Sequence, residues 1–182
     1  MKKSCLIVFL LSSLLSCTRN DKNVGPGNSI APRVKRQVME IAIDYARDKF
    51  KESKKTVAKD GIITIGDNQI SYVIDHLNYV IDPARILVGL IDDDSNKDAI
   101  VSIASYKGQY LVLTEHLILI KTDGKFMLNR VIESDMKIMG IKERVITAEI
   151  STHSPDSPLY NCSSCKEIVN YQFRGGDLIR ME

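Results

Sequence analysis

PRVKRQVMEIAIDYARDKFKESKKTV, residues Pro32 to Val57, decides the fold. Proline suits the first position of a helix, where its missing N–H costs nothing. Behind Pro32, the residues Val34, Val38, Ile41, Ala42, Tyr45 and Ala46 recur at spacings of three and four, and Phe50 continues the series. That period places them on one side of a helix. Lys35, Arg36, Arg47, Asp48, Lys51 and Glu52 fall on the opposite side. A helix apolar on one face only must cover something. The pattern runs for too few heptads to argue a coiled coil.

After Gly61 the period shortens. Ile62–Ile65, Gln69–Ile74, Arg85–Ile91, Ala99–Tyr106, Tyr110–Leu113, Leu117–Lys121 and Phe126–Ile132 read as strands. So do Lys137–Met139, Val145–Ile150, Glu167–Phe173 and Leu178–Arg180. They are rich in Ile, Val and Tyr, which suit a pleated, half-buried surface. Gly66-Asp67-Asn68, Lys107-Gly108, Asp123-Gly124 and Gly175-Gly176-Asp177 separate them as tight-turn signals. No second helical stretch is long enough for parallel crossovers. The expected class is α+β: one long N-terminal helix packed on a curved, mostly antiparallel sheet or meander. Residues 32–182 suffice for one hydrophobic core, hence one domain.

The N-terminus has a different character. MKKSCLIVFLLSSLLSC opens with Lys2 and Lys3 and continues with an apolar run from Leu6 to Leu15. That run is short of the roughly 20 apolar residues a spanning helix needs. Residues 1–16 read as a secretory signal and leave the fold argument. The end of the signal, Leu14-Leu15-Ser16-Cys17, resembles the lipobox of bacterial lipoproteins. The resemblance implies that Cys17 carries diacylglycerol, that the preceding peptide is removed, and that the new amino terminus is acylated. Two or three acyl chains hold a protein stably on a bilayer where one does not. Thr18, rather than Asp, follows Cys17. In a host with two membranes the resemblance then implies the outer one. Residues 17–31 are a lipidated cysteine and a polar tether. The fourteen residues TRNDKNVGPGNSIA (18–31) reach ~20 Å as a flexible coil.

Loss of Lys2 and Lys3 lowers the basic count from 25 to 23, equal to the 23 acidic residues. A neutral domain with no basic stripe has no electrostatic footprint for nucleic acid, so that partner is set aside.

Two stretches could carry chemistry. In YNCSSCKEIV, Tyr160 to Val169, Cys162 and Cys165 stand three apart. In an exported protein such a pair normally closes a disulfide. A redox centre would need a helix after the first cysteine to depress its pKa. The residues that follow alternate like a strand instead. A structural zinc would need four ligands, of which His153 is at best a third. The second stretch is Asp92-Asp93-Asp94-Ser95-Asn96-Lys97-Asp98. Asp92, Asp94, Asn96 and Asp98 lie two apart and could turn oxygens toward calcium. It departs from an EF-hand at Lys97, where glycine is expected, and at Ile103, where the bidentate acid is expected. The same run between two strands is also an ordinary solvated turn.

His76, His116 and His153 form no recognisable nucleophile set, and His116 lies inside an apolar strand. No phosphate loop, zinc-protease motif or dinucleotide fingerprint occurs. The expected function is a membrane-anchored cell-envelope lipoprotein with a non-catalytic binding domain. Its partners would be the membrane, through Cys17, and an envelope protein or glycan, with an inhibitor or immunity role included. The alternatives are a small-ligand domain of the cystatin or NTF2-like kind, by fold analogy alone, and a thiol- or metal-dependent enzyme.

Overall fold

The computed structural model describes residues 30–54, 63–65, 70–74, 77–154, 156–160 and 162–182. The signal, Cys17 and most of the tether lie outside them. So do the turn Gly66-Asp67-Asn68, His76, and the end of the expected helix from Lys55.

Helix α1 runs from Pro32 to Lys54. Val38, Ala42 and Ala46 are its buried stripe, flanked by Val34, Ile41 and Tyr45. Burying side chains of the Val class yields roughly 1.5–3 kcal/mol each. Packing of this stripe, more than helix propensity, therefore holds α1 in place.

Eleven strands follow: β1 (Ile63–Ile65), β2 (Ile70–Ile74), β3 (Leu77–Ile81), β4 (Leu87–Gly89), β5 (Asp98–Lys107), β6 (Tyr110–Thr122), β7 (Lys125–Glu133), β8 (Lys137–Lys142), β9 (Val145–Ser151), β10 (Lys166–Arg174) and β11 (Asp177–Arg180). A seven-stranded sheet has the order β1-β2-β3-β5-β6-β7, with β4 also on β5. A four-stranded sheet has the order β11-β10-β9-β8. Every pairing is antiparallel. The α+β expectation holds, with the strands divided between two sheets.

The molecule has three layers. Alternation along β5 and β6 sends Ala99, Val101, Ile103, Leu117 and Leu119 to the helix. It sends Ile100 and Ile118 to the other side, against Ile146, Ile138, Tyr171 and Phe173 of the smaller sheet. These two strands are therefore buried on both faces. The sheets approach most closely at Gly89, where an added Cβ would lie 2.6 Å from Cγ2 of Ile141.

Three strand assignments are corrected. Tyr110–Leu113 and Leu117–Lys121 are one strand of 13 residues. The polar Glu115-His116 in its middle mimics a break. Leu77–Ile81 is a strand, pairing with β2 and β5. The expected strand from Arg85 to Ile91 shortens to β4, because Pro83–Arg85 forms a 3-10 turn capped by the Asp82 carboxylate, which accepts from the Ala84 N–H at 2.8 Å. β3 and β4 thus lie end to end along one side of β5.

The turns at Gly108, Asp123-Gly124 and Gly175-Gly176 carry positive φ, as read from the sequence. Glu143 and Arg144 also do, at 51° and 65°, in the β8–β9 hairpin. No glycine announces that turn.

Candidate functional site

The acidic stretch forms the loop between β4 and β5. Asp92, Asp94 and Asp98 each bring an oxygen within 4.8 Å of the others. Asp98 is fully buried. Its Oδ2 accepts from the N–H of Ile91 at 3.0 Å and of Asp92 at 3.4 Å, and its Oδ1 accepts from the N–H of Lys121 at 2.9 Å. Asn96 is bound to one of these carboxylates through its nitrogens. Its amide nitrogen donates to Asp94 Oδ2 at 2.7 Å, and its backbone N–H donates to Asp94 Oδ1. These bonds lower the Asp94 pKa, whereas burial raises that of Asp92. The Arg144 guanidinium donates to the carbonyls of Asp92, Asp93 and Asp94. The loop is thus folded around Asp98 as an anchor to β6, with an internal cation on its carbonyls.

The cysteine pair sits in the connection from β9 to β10, with Cα atoms of Cys162 and Cys165 5.1 Å apart and sulfurs at disulfide distance. The strand β10 begins at Lys166, so no helix follows the pair. Hydrogen bonds independent of sulfur fold the same connection. Thr152 N–H donates to Cys165 O, Ser151 Oγ to Tyr160 O, and Cys165 N–H to Cys162 O. His153 lies in this connection, its N–H donating to Ser151 Oγ, rather than with the sulfurs as a ligand.

The centre of β6 holds the strand histidine that the sequence placed there, His116, and beside it a buried carboxylate, Glu115, that sequence reasoning missed. Glu115 and His116 point to opposite faces, and both are buried. His116 Nε2 donates to the Met136 carbonyl at 3.1 Å, so the lone pair is on Nδ1, which accepts from Ser102 Oγ at 2.8 Å. Burial lowers its pKa to about 4, opposed by the bond to Met136. It is a neutral, satisfied core histidine at neutral pH.

Glu115 faces α1. Its side chain is 2% exposed and meets Lys49 in an ion pair through Oε1. Tyr45 donates its hydroxyl to the same oxygen at 2.9 Å. Burial first, and this hydrogen bond second, push the tyrosine pKa up. Oε2 is buried and has no hydrogen-bond partner. Glu133 stands directly opposite Glu115 on β7, on the same face. The signal for this site was the interruption itself. A Glu in the apolar run LVLTEHLILI needs a partner from another element, and only the fold supplies Tyr45 and Lys49.

The smaller sheet turns its outer face to solvent. On it, Ile168 is 61% and Ile179 51% exposed, with Met139 in the β8 bulge and Met181 after β11 also exposed. Among the described residues, no helix is long and apolar enough to cross a membrane.

Comparisons with protein-family models, with curated proteins and with solved structures found no match for this chain.

Proposed function

We propose that the chain is a lipid-anchored protein of the cell envelope whose α+β domain binds a protein or glycan partner. The observation that carries this reading is Leu14-Leu15-Ser16-Cys17 behind an apolar signal. Cys17 supplies the thiol for the acyl anchor. The tether lifts the domain by ~20 Å, and the anchor holds it at the outer membrane of a host with two membranes. Two further features support a binding role. Ile168 and Ile179 stand exposed on the outer face of the smaller sheet among polar neighbours, a mixed surface of the kind partners use. The connection bearing Cys162 and Cys165 borders that sheet and is held rigid by its own hydrogen bonds. An inhibitor or immunity role against an envelope hydrolase falls within this reading.

The test is metabolic labelling with a fatty-acid analogue. The native chain incorporates label and partitions with membranes, and Cys17→Ala does neither. Labelling that survives Cys17→Ala refutes the anchor. Crosslinking in intact cells then captures the same partner with the native chain, and Ile168→Glu reduces that yield. A capture pattern unchanged by Ile168→Glu refutes the sheet face as the docking surface.

A further inference from the structure

The mature chain is neutral only as a whole. Residues 18–39 hold five basic residues, Arg19, Lys22, Arg33, Lys35 and Arg36, against one acid, Asp21. Taking those five from the 23 basic residues, and that one from the 23 acidic, leaves 18 and 22 in residues 40–182. The end next to Cys17 thus carries +4 and the remainder −4. Among the described residues, the surplus falls on the first turn of α1. No acidic residue lies in that turn. Arg33 and Arg36 are exposed and three apart, so they share a face, and Lys35 is half-buried beside them. Arg33 and Lys35 pair with no carboxylate among the described residues. Arg36 reaches Glu40 at 4.0 Å, in an exposed pair of the kind that contributes little. Ile30 and Val34 pack on the core and fix the turn in place. Further along the helix the charges balance, as where Asp44 pairs with Arg47.

Charge alone would suit any polyanion, and the tether selects one. It starts at Cys17, and its ~20 Å reach brings the turn down to the bilayer surface. Anchoring makes that encounter intramolecular, so a few weak attractions suffice. Basic residues close to a membrane anchor are drawn to anionic headgroups in this way. We propose that Arg33, Lys35 and Arg36 seat the first turn of α1 on anionic phospholipid headgroups, so that the domain takes one orientation with its acidic remainder away from the bilayer. The inference rests on the acyl anchor at Cys17, which supplies the proximity.

In the experiment the full chain, purified in detergent, is mixed with vesicles of phosphatidylcholine alone, or of phosphatidylcholine and phosphatidylglycerol in equal parts. Flotation reads the anchor. Acetylation by a water-soluble ester, followed by mass spectrometry, reads the seating at Lys35, with the exposed Lys142 of the smaller sheet as internal control. The chain floats with both vesicles. Lys35 reacts roughly three- to tenfold more slowly on the phosphatidylglycerol vesicles, and Lys142 reacts equally on both. At about 1 M salt, where the screening length is ~3 Å, the difference disappears. Arg33→Gln with Arg36→Gln, two exposed changes that leave the core intact, removes it at low salt without loss of flotation. Equal Lys35 rates in a chain that floats with both vesicles overturn the seating and leave the anchor standing. Flotation with neither vesicle refutes the anchor and the seating together. Flotation with phosphatidylglycerol alone, with slowed Lys35, refutes the anchor and supports the cationic turn. A slowing that Lys142 shares, or that survives the double variant, overturns the assignment to this turn.

Discussion

Lowering the pH charges His116 inside the core, and the cost follows from its surroundings. The unfolded chain takes up the proton near the ordinary value of 6.5, whereas burial holds the folded imidazole at about 4. Between those values the unfolded state binds more protons, so stability falls as pH falls. At ~1.4 kcal/mol per pH unit, the gap corresponds to about 3 kcal/mol, present in full above pH 6.5 and lost as the pH approaches 4. Other groups titrate in part of that window, so the assay compares the native chain with His116→Gln. Glutamine keeps a donor for the Met136 carbonyl and cannot take up a proton. It loses the Ser102 bond and should be less stable by about 1–2 kcal/mol at every pH. Urea unfolding at neutral pH and at about pH 4.5 should show the native chain losing roughly 2–3 kcal/mol more than the variant. The ring resonances of His116 should not titrate above pH 5. Equal pH slopes in the two proteins, or a ring that titrates near 6.5, would refute the reasoning.

Four further outcomes follow from other parts of the molecule. Gly89→Ala should cost about 1–3 kcal/mol in urea unfolding, because its Cβ meets Ile141, and Ile141→Ala should recover part of that loss. Asp98→Asn should cost about 3 kcal/mol, since the amide nitrogen cannot accept from the N–H groups that the carboxylate holds. Because backbone N–H groups and Asn96 already bind these carboxylates, calcium and chelator alike should leave the melting temperature of the native chain unchanged; a rise with calcium would instead support the metal reading of Asp92, Asp94, Asn96 and Asp98. Glu143→Gly should raise stability by about 0.5–1 kcal/mol in thermal or urea unfolding, because a side chain at φ 51° is strained and glycine is not.

Local patterns were legible where one residue's chemistry determines its conformation. The α1 stripe follows from helical spacing, and the turns at Gly108, Gly124 and Gly175 follow from the freedom of glycine at positive φ. What escaped was decided between elements. Glu115 and His116 read as a break in β6 because their partners, Lys49, Tyr45, Ser102 and Met136, are remote in sequence. Leu77–Ile81 holds only five residues and lies against β2 and β5 on either side, so pairing rather than pattern defines it. The Glu143-Arg144 turn has no glycine. Its geometry accompanies the hydrogen bonds of Arg144 to the carbonyls of Asp92, Asp93 and Asp94. Asp98 has a part that spacing alone does not show. Its carboxylate lies with those of Asp92 and Asp94, and its oxygens also accept from the N–H groups of Ile91 and Lys121.

The burial of β5 and β6 on both faces bears on how the protein assembles. Among the described residues, α1 and the smaller sheet each have their apolar surface against the same two strands. The smaller sheet is built from consecutive hairpins and closes only short loops, apart from the connection that carries the cysteines. The β5–β6 hairpin is likewise local, with its tips joined at Lys107 and Tyr110. That hairpin is the earliest element on which both outer layers can condense. An emerging chain, however, makes α1 first and must keep its stripe of Val38, Ala42 and Ala46 uncovered until β6 has followed it. During that interval the stripe is apolar surface open to wrong contacts.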